Sequence, residues 1–529
     1  TAEHIVFFAS NGADVHASDN NSITPLIRSF DAGLDMTKQL INAQNINTRD
    51  SFGNTPLYIA VERNTDLEQI QFLVSMGADV NARNKSGHSA LYIAVENNNR
   101  AVGEYLLANN ADVFSSDDNQ SSPLSLALSK GGFVQEWFLT SQVIQSSDGL
   151  GDTPLHYAAK RELNNAIFAL LERGANPNAQ NTNGENPLFH AAKANSIDTV
   201  RLLSENGTNQ NARDYLGSTV LHTCVQWDSQ DVAVYLIENG IDINAQNLSG
   251  KTALHQAART GRFDMVNLLL RAGANIHAAD SMGRTPLMDA IAAENITIVS
   301  LLIDNGASIS IPEMYGRNAY HEAVETANIE LIEILRNAGG NALGRDTNGQ
   351  TPLSLVLNTN SELIFAVLGN DIHLADSDGN TPLHIAVING AATDIVAELI
   401  DAGYSANRRN SEGATALLLA VKNGNITLAQ MFLEHDADPF ISDNSGNSAL
   451  IYALKNNAAM LNTIVQEVGN KQDIAGETVL HYAAREADVG TVQRLLSMGL
   501  DRTIKNISGE TAYNIALRWE KNDIAALLQ

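Results

Sequence analysis

Residues 247–282 read NLSGKTALHQAARTGRFDMVNLLLRAGANIHAADSM, and this stretch decides the fold. Asn247 and Gly250 have the spacing of a tight turn, in which an Asn side chain bonds nearby backbone N–H groups and Gly supplies a positive φ. Thr252 is placed to cap a helix, because its hydroxyl can accept from an amide of the first turn. Leu254, Ala257 and Ala258 follow at helical spacing, and the two alanines let a neighbouring helix come close. Gly261 ends this first helix. Phe263, Val266, Leu269 and Leu270 mark a second helix, apolar on one face. Gly273 closes it in a left-handed conformation, which costs glycine no Cβ clash. Ala274 to Ala279 then run on as an extended arm. A unit of this kind cannot bury its apolar faces alone, so it must stack on others like it.

The others are present. Gly151, Gly184, Gly217, Gly250, Gly283, Gly316 and Gly349 follow one another at steps of 33. The same position is Ser22, Gly53, Gly87, Gln120, Gly379, Gly413, Gly446, Gly476 and Gly509 elsewhere. Three residues earlier stands Asp or Asn, from Asp19 to Asn506, with Glu313 the exception. Helix starts read TPLHYA from Thr153, TALHQA from Thr252, TPLHIA from Thr381 and TVLHYA from Thr478. This period and this motif resemble the ankyrin repeat family, whose signature is T-P-L-H-x-A. The resemblance covers essentially the whole chain. It implies an all-α solenoid of helix-turn-helix repeats joined by β-turn or hairpin loops, with a binding function. It also implies that His156, His222, His255, His321, His384 and His481 tie neighbouring repeats by hydrogen bonds.

The copies differ in fidelity. Residues 1–21 hold a partial repeat, 22–150 four divergent ones, 151–348 six at strict period, and 349–529 the last six with a C-terminal cap. The cap is expected to present Arg518, Glu520, Lys521, Asn522 and Asp523 outward. Repeats beginning at Gln120, Gly349 and Gly446 are short, so local curvature is expected to change there. The one at Gln120 lacks its turn glycine, and its Trp137 is expected in the core.

Composition narrows the function. Among 529 residues, 33 Lys and Arg face 60 Asp and Glu, a net charge of −27. That balance weighs against a general role on nucleic acid or an anionic membrane, where basic patches are expected. It serves the solubility of a long surface and permits a basic partner. Cys224 is the single cysteine, so no internal disulfide is possible. The cytosol is the default compartment, with secretion or delivery into a host open if an export segment precedes Thr1. No apolar run is long enough to span a membrane.

Nothing in the sequence forms a catalytic constellation: GxSxG, HExxH and CxxC are absent. GKT at Gly250 lacks the first glycine of a phosphate loop. The motif histidines lie a repeat or more apart, without a second ligand at metal-binding spacing. No metal, cofactor or enzymatic activity is therefore expected, and the oligomeric state is a monomer by default.

Partner recognition in the family uses turn tips and the exposed side of the first helices, so the informative residues are those the repeat does not dictate. Several tips are polar, such as Lys85-Ser86 and Thr347-Asn348. In the strict block, consecutive tips carry Tyr215-Leu216, Leu248, Met282 and Met314-Tyr315, with Trp227 on the first helix beside the first of them. Aromatic and Met side chains suit interface centres. With tips about 9 Å apart, such a ridge matches an amphipathic helix. The same side chains could equally fold onto neighbouring tips and serve stacking. A second set, Lys160, Arg161, Lys193 and Arg259, would suit an acidic segment. The expected function is a non-catalytic protein-binding scaffold. The alternative is the recognition region of a larger secreted effector or toxin with its active domain elsewhere, and an unrecognised enzyme is the remaining reading.

Overall fold

The computed structural model describes residues 4, 7, 11–20 and 23–529. The turn position Ser22 and most of the partial helix expected at the N-terminus lie outside the described residues. The chain forms two compact units, Thr1–Ser281 and Met282–Gln529. Both are helical; the described residues contain no strand, only isolated bridges at Arg83–Ser89 and Arg213–Thr219.

The stretch that defines the repeat folds as helices Ala253–Thr260 and Phe263–Arg271. The Thr252 hydroxyl accepts from the His255 amide, and Gly261 and Gly273 take φ of +75° and +86°. One expectation changes. The buried face of the second helix is Met265, Val266 and Leu269, whereas Phe263 is exposed and Leu270 half-buried. Phe263 is the first helical residue, and its side chain points away from the packed stripe.

Each turn is held by its Asp or Asn. Asp148 Oδ1 accepts from the amides of Leu150 and Asp152, both at 2.8 Å. Glu313 reaches the same two positions despite its extra methylene, accepting from Tyr315 at 2.9 Å and Arg317 at 3.2 Å. The turn glycine has two reasons to be glycine. Gly250 sits at φ +75°, and a Cβ there would stand 2.4 Å from the backbone nitrogen of Ser281 in the next turn.

Successive repeats are joined by the motif histidines. Thr219 N–H donates to His222 Nδ1 at 3.2 Å, which fixes the tautomer, and His222 Nε2 donates to the Lys251 carbonyl at 3.0 Å. His156 reaches Glu185, His384 reaches Ala414 and His481 reaches Glu510 in the same way, each at 3.0 Å. The role implied by the family resemblance is thus what these side chains do. Asparagines of the arms form a second tie: Asn178 donates to the Gly207 carbonyl at 3.0 Å and accepts from the Asn209 amide at 2.7 Å.

Divergent repeats keep the frame by local substitution. Gln120 adopts the positive φ of the glycine it replaces, +59°. Trp137 is buried as expected, against Gly103 of the preceding repeat, where a Cβ would stand 2.3 Å from the indole. In the C-terminal unit the repeat at Gly349 keeps only a five-residue first helix, Pro352–Val356. The repeat at Gly446 instead lengthens its second helix, Ala458–Val468. In the last repeat Arg518, Glu520, Asn522 and Asp523 are exposed, and Lys521 donates to the Ala487 carbonyl at 3.0 Å.

Candidate functional site

The turn tips form a backbone ladder. The first tip residue donates its N–H to the carbonyl of the residue just before the preceding turn glycine. Tyr215 donates to Asn183 at 2.8 Å and Leu248 to Leu216 at 2.9 Å. In the C-terminal unit Met314 donates to Met282 and Thr347 to Tyr315, both at 2.9 Å. These bonds fix where each tip side chain starts, whatever its type.

Within the N-terminal unit, Tyr215, Leu216 and Leu248 are 67%, 70% and 77% exposed, and Trp227 is 55% exposed. Part of each tip side chain does pack. The Tyr215 ring lies over Gly184, 2.9 Å from where a Cβ would be, and Leu248 Cγ lies over Gly217 at 3.1 Å. Lys85 and Thr347 cover Gly53 and Gly316 in the same manner. The slot is therefore filled by polar and apolar side chains alike, and stacking does not require the apolar ones. Trp227 ends the helix Val220–Trp227, about 10 Å along its axis from the helix's first residue. Met282, Met314 and Tyr315 are exposed on the C-terminal unit.

The apolar tips extend further than the strict block. Phe52, Leu150, Ile474 and Ile507 are exposed as well. Each occupies a tip position that the repeat register identifies, so the sequence carried the signal.

The basic set divides. Lys160 and Arg161 are exposed at the end of the helix Pro154–Lys160, where Arg161 donates to the Gln120 carbonyl at 2.6 Å. Arg259 is exposed on the last turn of its helix. Lys193 is turned inward: its ammonium lies 2.7 Å from both carboxylate oxygens of Glu185.

Stacking also assembles a cluster that sequence spacing hides. Asp152, His156 and His190 bring ligand-type atoms within 4.8 Å of one another. Sequence spacing does not show this proximity; both His156 nitrogens are nonetheless taken, Nδ1 accepting from the Thr153 amide and Nε2 donating to the Glu185 carbonyl. In this repeat Phe189 stands at the motif position, and His190 takes the place that Tyr157 holds one repeat earlier. Tyr157 bonds its own turn residue Asp148 at 2.9 Å; His190 Nε2 lies 3.4 Å from the turn amide of Asn181 and 3.4 Å from Asp152 Oδ1. Burial pushes the Asp152 carboxyl up, but hydrogen bonds from His190 and Asn181 and the nearby imidazoles outweigh it and bring it down to about 2. Cys224 is buried, and burial pushes its thiol upward, which removes it as a nucleophile.

Paired short helices, stacked through capped turns and tied by buried histidines, define a helical repeat protein of the interaction type. The chain belongs to the ankyrin repeat family: models described as ankyrin repeats match overlapping windows from residues 2–84 to 390–474, and residues 475–507. It is 31% identical over 178 residues to the mouse (Mus musculus) B-cell lymphoma 3 protein homolog, covering 32% of this chain and 40% of that protein. It is 33% identical over 131 residues to the mitochondrial disaggregase of Bos taurus, covering 24% of this chain and 19% of that protein. A crystal structure of the ankyrin repeat domain of Bcl-3, described as a unique member of the IkappaB protein family, shares 29% identity at a TM-score of 0.39, covering 41% of this chain and 99% of that one. The chain thus spans less than half the length of these curated relatives. No helix among the described residues is long and apolar enough to cross a membrane.

Proposed function

We propose that the chain is a non-catalytic scaffold that captures an amphipathic helix of a partner protein. The observation that supports this reading is the exposure of Tyr215, Leu216 and Leu248 on consecutive tips that stacking does not oblige to be apolar. Trp227 supplies the aromatic anchor, since hot spots are few, central and enriched in aromatic residues. Lys160 and Arg161 stand on an earlier first helix of the same unit and favour acidic residues on the polar side of the incoming helix. Met282, Met314 and Tyr315 offer the same chemistry on the C-terminal unit.

The test is a paired measurement on Trp227→Ser and Tyr215→Ser, with Tyr315→Ser for the C-terminal unit. Melting temperature and affinity for the partner recovered by pull-down are compared. The expected result is an unchanged melting temperature and an affinity at least about tenfold lower for the central aromatic. A lower melting temperature with unchanged affinity per folded molecule would make these stacking residues.

A further inference from the structure

We propose that the cleft opened by the short repeat at Gly446 receives an arginine side chain of a partner protein, a contact separate from the tips of the N-terminal unit. The cleft has a cause in the chain. The second helix of the preceding repeat, Ile426–Glu434, is followed by an arm over residues 435–442 before the turn at Asp443. After Ala458–Val468 only residues 469–472 precede the turn at Asp473. Two ties between neighbouring repeats are lost with the missing residues. Asn407 bonds the Asp436 carbonyl and the Asp438 amide of the next arm, at 3.1 and 2.7 Å. One period later Phe440 stands in its place and has no amide to offer. The slot over Gly413 is filled by Asn444 of the next turn, whereas a Cβ built on Gly446 would meet nothing within 4 Å. Ile474, the tip residue next in line for that slot, is fully exposed instead.

Between the parted arms lies a cleft of about 330 Å³. That is the small end of the range for ligand pockets and suits one long side chain. One wall is apolar, with Leu433, Phe440, Val468 and Ile474. The rest carries Asp436, Asp438, Glu467 and Asp473 against a single cation, Lys471. These carboxylates are not equally committed. Asp473 is saturated: Oδ1 accepts from the Ala475 and Glu477 amides at 2.9 and 2.7 Å, and Oδ2 from the Tyr482 hydroxyl at 2.7 Å. Asp438 gives one oxygen to the Phe440 amide at 2.8 Å. The side chains of Asp436 and Glu467 form no hydrogen bond or ion pair among the described residues, and neither does the Lys471 ammonium.

Spare carboxylates beside an apolar wall complement a side chain that is apolar along its length and cationic at its end. Arginine meets this better than lysine. Its guanidinium is planar and weakly hydrated, stacks on an aromatic ring such as Phe440, and presents donors to two carboxylates at once.

The probe is a fluorescein-labelled peptide with one arginine between two leucines. Its counterpart carries citrulline, which keeps the shape of arginine and removes the charge. Fluorescence anisotropy follows each against the full chain at about 0.15 M salt, which screens distant exposed charges. The arginine peptide is expected to saturate one site, and the citrulline peptide to bind at least about tenfold more weakly. Glu467→Gln and Asp436→Asn are each expected to weaken the arginine peptide several-fold, and Lys471→Met to tighten it. Glu398→Gln, at an exposed acid elsewhere on the same unit, is expected to leave it unchanged. Circular dichroism melts check that each variant is folded. Equal affinity for the two peptides, an affinity unmoved by Glu467→Gln, or no saturable binding to either wild type or Lys471→Met would overturn the proposal. A loss with Glu398→Gln as large as with Glu467→Gln would overturn it too, because that is general attraction to an acidic chain and not a seat in the cleft.

Discussion

At the scale of single residues, positive φ and close approach are separate demands on glycine, and two positions separate them. Gly250 and Gly273 both lie at positive φ, +75° and +86°. Nothing stands within 4 Å of a Cβ built on Gly273, whereas one on Gly250 would collide with the next turn. Gly273→Val is expected to lose about 1–3 kcal/mol through backbone strain alone, and Gly273→Asn less. Gly250→Ala is expected to lose more than Gly273→Ala, because it also pries two turns apart. Denaturant melts of these variants check the order; equal losses at the two glycines would remove the packing role assigned to Gly250. Protonation gives a second expectation at this scale. Burial holds His156, His222, His321, His384 and His481 below the ordinary imidazole range. Unfolded histidines take up protons near about pH 6.5. The folded state prefers them neutral, so this stabilisation is complete above that pH and is lost as pH falls toward the lower folded values. Asp117, Asp376 and Asp443 are lowered from an already acidic value, against the opposing pull of burial, by hydrogen bonds to their carboxylates, and contribute only further down. The melting temperature should therefore drop between about pH 7 and about pH 5, and His222→Gln should flatten that drop. The histidines in the motif could be assigned from sequence because their place recurs. His190 could not, because it sits one position later, and its neighbours Asp152 and Asn181 come from the turns of two repeats.

At the scale of elements, the chain shows how a repeat departs from its pattern without losing register. The first helices were readable from TPLH starts because the cap, the proline and the small alanines are all local. The outward turn of Phe263 was not readable. It depends on which side of a nine-residue helix meets the neighbouring repeat, and Met265 satisfies the apolar spacing equally well. The repeat at Gln120 replaces the usual small contacts by Trp137 seated on Gly103. Such a contact tolerates no added atom. Gly103→Ala is expected to cost about 1–3 kcal/mol by overpacking. Trp137→Leu should also destabilise, but the double variant should lose less than the two losses added together. A double-mutant cycle on melting free energies measures this coupling, and simple additivity would contradict the contact.

At the scale of the whole molecule, stability is distributed, because the bonds between repeats run from one repeat to the next, through a histidine as at His222, an asparagine as at Asn178, and a tip amide as at Tyr215. Nearest-neighbour coupling of this kind breaks cooperativity in long arrays. Unfolding in denaturant is expected to pass through at least one intermediate. Hydrogen exchange should show earliest loss of protection around the short repeats at Gln120, Gly349 and Gly446. A single transition, seen alike by circular dichroism and by tryptophan fluorescence and with an m-value fit for all 529 residues, would contradict this. The extent of the fold was readable from the sequence because one period runs through it. The proposed partner surface was readable only in part: tip residues are named by register, yet whether a tip side chain is spare or structural depends on the slot over the preceding glycine.

That slot has a consequence for change over time. The turn ladder is made by main-chain atoms, and the space above each glycine accepts Lys85, Tyr215, Leu248 or Thr347 alike. On the proposed function, substitution at a tip would change what the surface recognises while leaving the main-chain ladder in place. If the tips are the partner surface, a chain of this kind could exchange one partner for another by single codon changes, without passing through an unstable ancestor.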